Sequence, residues 1–261
     1  MQRIVVLNPK GGSGKTTVAS NLAACYAVHG ERPTLMDLDP QGSSMRWLRK
    51  RPSDTQAIHG IAAFERSTAV TRSWQMRVPA DCRTLIIDTP AAIDAHAFPE
   101  LTRGVDAVLV PVMPSDIVIH ATAKCIADLL LVAKIRRSER RIGIIANRVR
   151  SNTRVSQSLT RFLESLDIPL IATLRDTQNY LRSAEIGVGV CEMPQWQVQQ
   201  DLPQWQQIFS WLKGKRRVVG PREPPARVVS MERPDSEAEQ KQVAPLAALA
   251  SAADRELDVS A

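Results

Sequence analysis

Ten residues, Asn8-Pro9-Lys10-Gly11-Gly12-Ser13-Gly14-Lys15-Thr16-Thr17, constrain this 261-residue chain more than any other stretch. They follow a short apolar run, Arg3–Leu7, and open a segment of helical pattern over Thr16–His29. A glycine-rich turn between a strand and a helix, ending Gly-Lys-Thr, is the context of a nucleotide phosphate loop. Glycine lets the backbone wrap closely and turn its N–H groups toward phosphate oxygens. The first turn of the following helix adds unpaired amides and the positive end of its dipole. In such a loop Lys15 reaches the β- and γ-phosphates and the Thr16 hydroxyl ligates Mg²⁺. Gly11, Gly12, Ser13, Gly14 and Thr17 complete the ATP-binding backbone. The loop departs from the standard form at position 9, where Pro9 replaces the leading glycine, and a second lysine, Lys10, follows it.

The rest of the chain supplies the sheet that such a loop needs. Apolar runs Thr34–Met36, Thr84–Ile87, Ala107–Val110, Ile142–Ala146 and Leu170–Leu174 read as further strands. Helical patterns at Ile117–Arg136, Thr153–Leu166 and Asn179–Ile186 alternate with them. Continuous apolar strands separated by helices predict βαβ units, hence an α/β, doubly wound, mainly parallel sheet. Residues 1–213 form this domain, and from Gly214 onward prolines recur while aromatic residues vanish. That composition predicts a disordered tail over 214–261, because too little apolar surface is available to offset the entropy of ordering. No apolar run reaches the roughly 18 residues of a membrane span. With Met1 two residues before the first strand and no signal-peptide pattern, a cytoplasmic chain without a preceding operator-reading module is expected. Cys25, Cys82, Cys125 and Cys191 lie far apart, which predicts reduced thiols rather than a zinc site.

Two acids close the second strand in Leu35-Met36-Asp37-Leu38-Asp39-Pro40-Gln41-Gly42-Ser43-Ser44, and one closes the third in Leu85-Ile86-Ile87-Asp88. Carboxylates at the C-terminal ends of strands face the crevice where open α/β sheets bind ligands. An apolar strand ending in an acid also describes a Walker B site for Mg²⁺, which assigns Asp88.

The run Lys10-Gly11-Gly12-Ser13-Gly14-Lys15-Thr16-Thr17, with the Asp37–Ser44 and Asp88 segments, resembles the deviant Walker A motif of the ParA/MinD superfamily of partition and positioning ATPases. The resemblance covers about residues 1–213 and is nearest to the small ParA-type members, carboxysome-positioning McdA-like proteins among them. It implies that Lys10 crosses a nucleotide-sandwich homodimer to the partner's phosphates, a charge supplied in trans as an arginine finger is. It further implies that Asp37 supports the magnesium shell, that Asp39 positions or activates the attacking water, and that Asn147 contacts adenine. Lys10, Lys15 and Asp39 are thereby the catalytic candidates, and Thr16, Asp37 and Asp88 the metal candidates.

The net charge of +7 is unevenly placed. Residues 134–213 hold twelve basic and seven acidic residues, whereas 214–261 hold eight of each. Such a localised basic surface points to a polyanionic partner. By the resemblance, Arg148, Arg150, Arg154, Arg161, Arg175 and Arg182 contact the phosphates of nucleoid DNA without reading sequence. Arg136, Arg137, Arg140 and Arg141 form a second run, read as a solvated helix end and loop. The implied activity is ATP hydrolysis to ADP and phosphate, stimulated by a ParB-like or McdB-like adaptor on a cargo. That cargo could be a plasmid, a chromosome region, a carboxysome or a chemoreceptor cluster. The alternative, a MinD-like membrane cycle, needs a basic amphipathic end; here Ala244–Ala261 carries Asp254, Glu256 and Asp258 against Arg255.

Overall fold

The computed structural model describes residues 1–65, 76–150, 162 and 167–215, with the backbone alone at 116–120. The expected helix Thr153–Leu166, with Arg154 and Arg161, lies outside the described residues but for Phe162, and so does the tail from residue 216.

Seven parallel strands form one sheet: β1 (Gln2–Val6), β2 (Pro33–Asp37), β3 (His59–Ala62), β4 (Thr84–Asp88), β5 (Ala107–Val112), β6 (Ile142–Val149) and β7 (Leu170–Arg175), in the order β3-β2-β4-β1-β5-β6-β7. From β1 the chain winds first toward β3 and then, after β4, toward β7, which is the doubly wound topology the sequence predicts. Helices α1 (Lys15–Val28), α2 (Ser43–Arg49), α3 (Asp116–Leu131), α4 (Asn179–Glu185) and α5 (Leu202–Lys213) cover it, with short helical turns between.

The period of two along β1 sorts its side chains into two cores. Ile4 and Val6 join one cluster with Leu22, Trp205 and Ile208, while Val5 and Leu7 join another with Phe98, Cys125 and Leu129. Burial on both faces explains why these strands read as unbroken apolar runs. Register then places the acids. Val6 pairs with Asp88 and Asp37 pairs with Asp88, so the two carboxylates stand side by side at the C-terminal edge, beside the loop that leaves β1.

Three departures from the sequence reading have local causes. Helix α3 ends at Leu131 rather than Arg136, because Lys134 takes a left-handed turn (φ 55°) and the Ile135 N–H donates to the Leu129 carbonyl. That Schellman closure drops Ile135 into the core, 2% exposed. Strand β6 runs on to Val149, so Asn147 and Arg148 lie inside it rather than after it. Helices α2 and α5 were not anticipated; α5 seats Trp205, Ile208 and Leu212 against the sheet. Cys25, Cys82 and Cys125 are buried and Cys191 is half-buried.

Candidate functional site

The loop after β1 is built from inside. Asn8, fully buried, donates from Nδ2 to the Pro111 carbonyl at 2.7 Å and accepts the Lys10 N–H at 2.9 Å. Its own carbonyl accepts the Lys15 ammonium at 2.9 Å. Lys15 is 7% exposed, and burial pulls its pKa down while Asp88 and Asp39 pull it back up. Gly14 caps α1 with φ 91°, and no side chain hydrogen-bonds the α1 terminus. The first-turn amides of α1 therefore have no partner within the helix and face the cleft. A Cβ at Gly14 would lie 2.0 Å from Nδ2 of Asn147, so the position demands glycine twice over, for its φ and for that close approach.

Asn147 holds the loop from the other side: its Nδ2 donates to the Ser13 carbonyl at 2.9 Å, and its Oδ1 accepts the Arg148 N–H at 3.0 Å. In this structure the residue expected to meet adenine braces the phosphate loop.

The two strand-end carboxylates have different work. Asp37 is fully buried, with Oδ1 accepting the Asp39 N–H (2.9 Å) and Oδ2 accepting those of Ser44 (3.0 Å) and Met45 (3.2 Å). Desolvation raises its pKa and these three amides restrain the rise. Asp37 thus organises the loop that carries Asp39 and the start of α2. Asp88 accepts hydroxyl protons on Oδ2, from Thr16 at 2.8 Å and Ser44 at 2.6 Å, while its buried Oδ1 has no hydrogen-bond partner among the described residues. Burial lifts the Asp88 pKa to about 6, adjacent Asp37 adds to the lift, and the two hydroxyls and Lys15 oppose it.

A magnesium ion fits this chemistry. An unpartnered buried carboxylate oxygen beside a threonine hydroxyl is the protein share of a site whose other ligands are phosphate oxygens and water. Among the described residues no group of three acids, histidines or cysteines could hold a metal without such outside ligands.

The phosphate loop, the start of α1 and Asp39 line a cleft of about 430 Å³. Gly11, Gly12, Gly14, Lys15, Thr16 and Thr17 form its floor, and Asp39, Gln41 and Ser43 one wall. The opposite wall was not foreseen: Asp176, Thr177 and Gln178 after β7, with Leu181 on α4, face the floor. Ser44, whose hydroxyl meets Asp88, was also missed, although the Gly42-Ser43-Ser44 start of α2 supplied a signal. Ser13 Oγ is buried without a partner among the described residues. Lys10 is exposed and does not line its own cleft.

The described arginines assigned to DNA differ in their surroundings. Arg148 (φ 54°) faces the nucleotide cleft. Arg150 is 78% exposed and pairs with Asp176 at 2.9 Å. Arg175 is tied through Nε and Nη2 to the fully buried Asp201, at 2.5 and 3.0 Å, and Asp201 also accepts from Asn179 at 2.8 Å. Arg182 is exposed on α4.

A doubly wound parallel sheet with a phosphate loop on its central strand, and acids at the ends of the next two strands on one side, β4 and β2, defines a P-loop nucleotide-binding domain. More narrowly, the chain belongs to the CobQ/CobB/MinD/ParA nucleotide binding domain family, which it matches over residues 4–189. Among relatives, the maintenance of carboxysome distribution protein A of Halothiobacillus neapolitanus is 24% identical over 191 residues, 73% of this chain and 87% of that protein. The protein of the same name from Gloeobacter kilaueensis is 37% identical over 112 residues, 43% of this chain and 49% of that one. The sporulation initiation inhibitor protein Soj of Bacillus subtilis is 45% identical over 59 residues, 22% of this chain and 23% of Soj. The fold is shared with a plasmid partition protein of Borrelia burgdorferi B31 solved with AMPPNP (TM-score 0.63, 13% identity, 82% of this chain and 99% of that one). It is shared also with apo McdA of Cyanothece (TM-score 0.58, 14% identity, 82% and 99%). No helix among the described residues is long and apolar enough to cross a membrane.

Proposed function

We propose that this chain is an ATP-dependent dimerising switch that binds nucleoid DNA without sequence preference and positions a cargo, hydrolysing ATP to ADP and phosphate at each release. The cargo is a plasmid, a chromosome region or a protein assembly such as a carboxysome, joined through a ParB-like or McdB-like adaptor. The observation that carries the reading is Lys10: it belongs to the loop yet stands exposed, outside the cleft its own loop builds. A lysine so placed is available to a second copy's phosphates, where it would stabilise the charge that develops during transfer.

Within one protomer the loop amides and Lys15 bind and orient the triphosphate. Thr16 and Asp88 are the residues that would hold Mg²⁺, which when bound offsets charge on the phosphate oxygens. Asp39, half-buried with Oδ1 accepting the Gln41 N–H at 3.0 Å, keeps its other oxygen for the attacking water. Asp37 positions Asp39 through the 2.9 Å bond to its amide.

Light scattering with Mg–ATP tests the switch. Wild type dimerises, and Lys15→Ala stays monomeric because it cannot hold the triphosphate. Lys10→Ala binds ATP as a monomer. A Lys10→Ala dimer with undiminished ATPase would overturn the trans-lysine reading. Retention on DNA should fall steeply with salt through counterion release. Equal stimulation of the ATPase by liposomes would favour the membrane cycle instead.

A further inference from the structure

A cavity of about 680 Å³ lies apart from the nucleotide cleft. It opens at the other end of the sheet, where β6 begins at Ile142 and Pro169 leads into β7. Strand β6 connects the two, with Ile142 lining one and Asn147 and Arg148 the other, about 20 Å apart at strand rise.

Among the described residues five cations border this cavity, Arg136, Arg137, Arg140, Arg141 and Lys215, against a single acid, Asp167. The described residues neutralise only part of that charge. Glu139 accepts from Arg136 Nε at 2.9 Å and pairs with Arg141 Nη2 at 2.5 Å, and Arg141 Nη1 donates to the Val105 carbonyl. Arg141 Nε is buried without an acceptor among the described residues. Arg137 and Arg140 make no ion pair among the described residues, and Arg140 stands in the left-handed region (φ 47°) where the turn before β6 reverses. Lys215 lies over the Trp211 indole, 5.0 Å from its centroid. Burial, and then the charge of Arg140, hold the Lys215 ammonium below its ordinary pKa. Like charges left facing one another around a hollow cost free energy that an anion between them removes.

The wall is built for shape as well as charge. Gly143, the second residue of β6, would place a Cβ 3.0 Å from the Trp211 ring, so glycine in mid-strand admits the indole. The result is a concavity with an aromatic and aliphatic side and a cationic rim, of the volume that small-molecule sites occupy. A nucleic-acid duplex spreads its charges along a rod, one per about 1.7 Å, and cannot enter such a hollow. Adjacent phosphates on a compact molecule can, and the forked donors of arginine suit their oxygens.

We propose that this cavity is a second anion site, distinct from the nucleotide cleft, which binds a small ligand carrying two or more adjacent phosphates through Arg137, Arg140 and Lys215. The test uses inorganic tripolyphosphate as probe, by calorimetry on the full chain with the nucleotide cleft saturated by Mg–ADP. One site per chain is expected. Arg137→Gln with Arg140→Gly should weaken it at least tenfold and leave ADP affinity unchanged. Both residues are exposed, and glycine keeps the left-handed turn, so the variant folds. Lys215→Gln, made separately, should weaken the probe several-fold. No binding once ADP saturates the cleft, binding only at millimolar probe, or binding indifferent to these substitutions would each overturn the proposal. If a 40-base-pair duplex competed for the site and lost affinity with the same variants, the surface would be a nucleic-acid contact and the small-ligand assignment would fall.

Discussion

Asp88→Asn should stabilise the nucleotide-free protein while destroying its magnesium-dependent nucleotide binding. Desolvation lifts the Asp88 pKa from 3.8 to about 6. The ionised carboxylate at neutral pH therefore costs the fold about 3 kcal/mol relative to its cost in the unfolded chain. An amide carries no charge, and its oxygen can still accept from Thr16 and Ser44. Its NH₂ would occupy the place of Oδ1, which has no partner among the described residues, and a buried unsatisfied donor costs roughly 1–3 kcal/mol. The balance is a gain of up to about 2 kcal/mol at pH 8, or a melting point higher by up to about 6 °C for a domain of this size. The sign in pH follows from a carboxyl pKa that is higher folded than unfolded. The relative stability of wild type is full below about pH 3.8 and is lost as pH rises through about 6. Urea unfolding in EDTA at pH 4.5, 6 and 8 measures it: the gap favouring the variant should open between the first and last points and stay flat above. Addition of Mg–ATP should reverse the order by stabilising wild type alone. A variant less stable than wild type at pH 8 without nucleotide would refute the reasoning, as would a gap of the same size at pH 4.5.

Gly14→Ala meets both the left-handed φ of 91° and the Asn147 amide 2.0 Å from its Cβ, so a loss of at least about 1–3 kcal/mol is expected, with nucleotide affinity abolished; thermal unfolding and nucleotide titration check it. Adding Asn147→Ala removes the contact but not the dihedral and should restore only part of the stability. Arg175→Ala strands the buried Asp201 carboxylate and should cost about 2–3 kcal/mol, the lower part of the range for broken buried pairs because Arg175 is 34% exposed. Asp201→Ala should cost at least as much, and the double variant should lose less than the sum of the two in a urea-melt cycle. Weaker DNA retention by Arg175→Ala must accordingly be read at matched folded fraction. Asp39→Ala should keep ATP affinity and trap a dimer on DNA; normal turnover in that variant, followed by phosphate release, would remove Asp39 from the catalytic set.

Legibility in the sequence followed the range of the interaction. The phosphate loop was readable because its chemistry is contiguous: strand, glycine turn, Lys15 and Thr16 lie within fifteen residues. The buried strands were readable because burial on both faces leaves unbroken apolar runs. Strand β3 was not, since His59-Gly60-Ile61-Ala62 is four residues long at a sheet edge and has neither alternation nor a run. Helix α5 carried a helical signal in Trp205, Ile208 and Leu212, diluted by glutamines that fill its outer face. What no local pattern could give is the partner of a side chain far along the chain. Asn147 and Ser13 meet across 134 positions, a contact by which the amide expected at the base also braces the loop. The basic stretch makes the same case. Its twelve cations were equal when counted along the sequence, but the fold divides those described: Arg175 and Arg150 pair with Asp201 and Asp176, while Arg137 and Arg140 line one cavity and make no ion pair among the described residues. A run read as a solvated helix end therefore contains, like the stretch assigned to DNA, cations without an ion pair among the described residues, and excess charge attracts an outside anion only where the fold has left it unpaired.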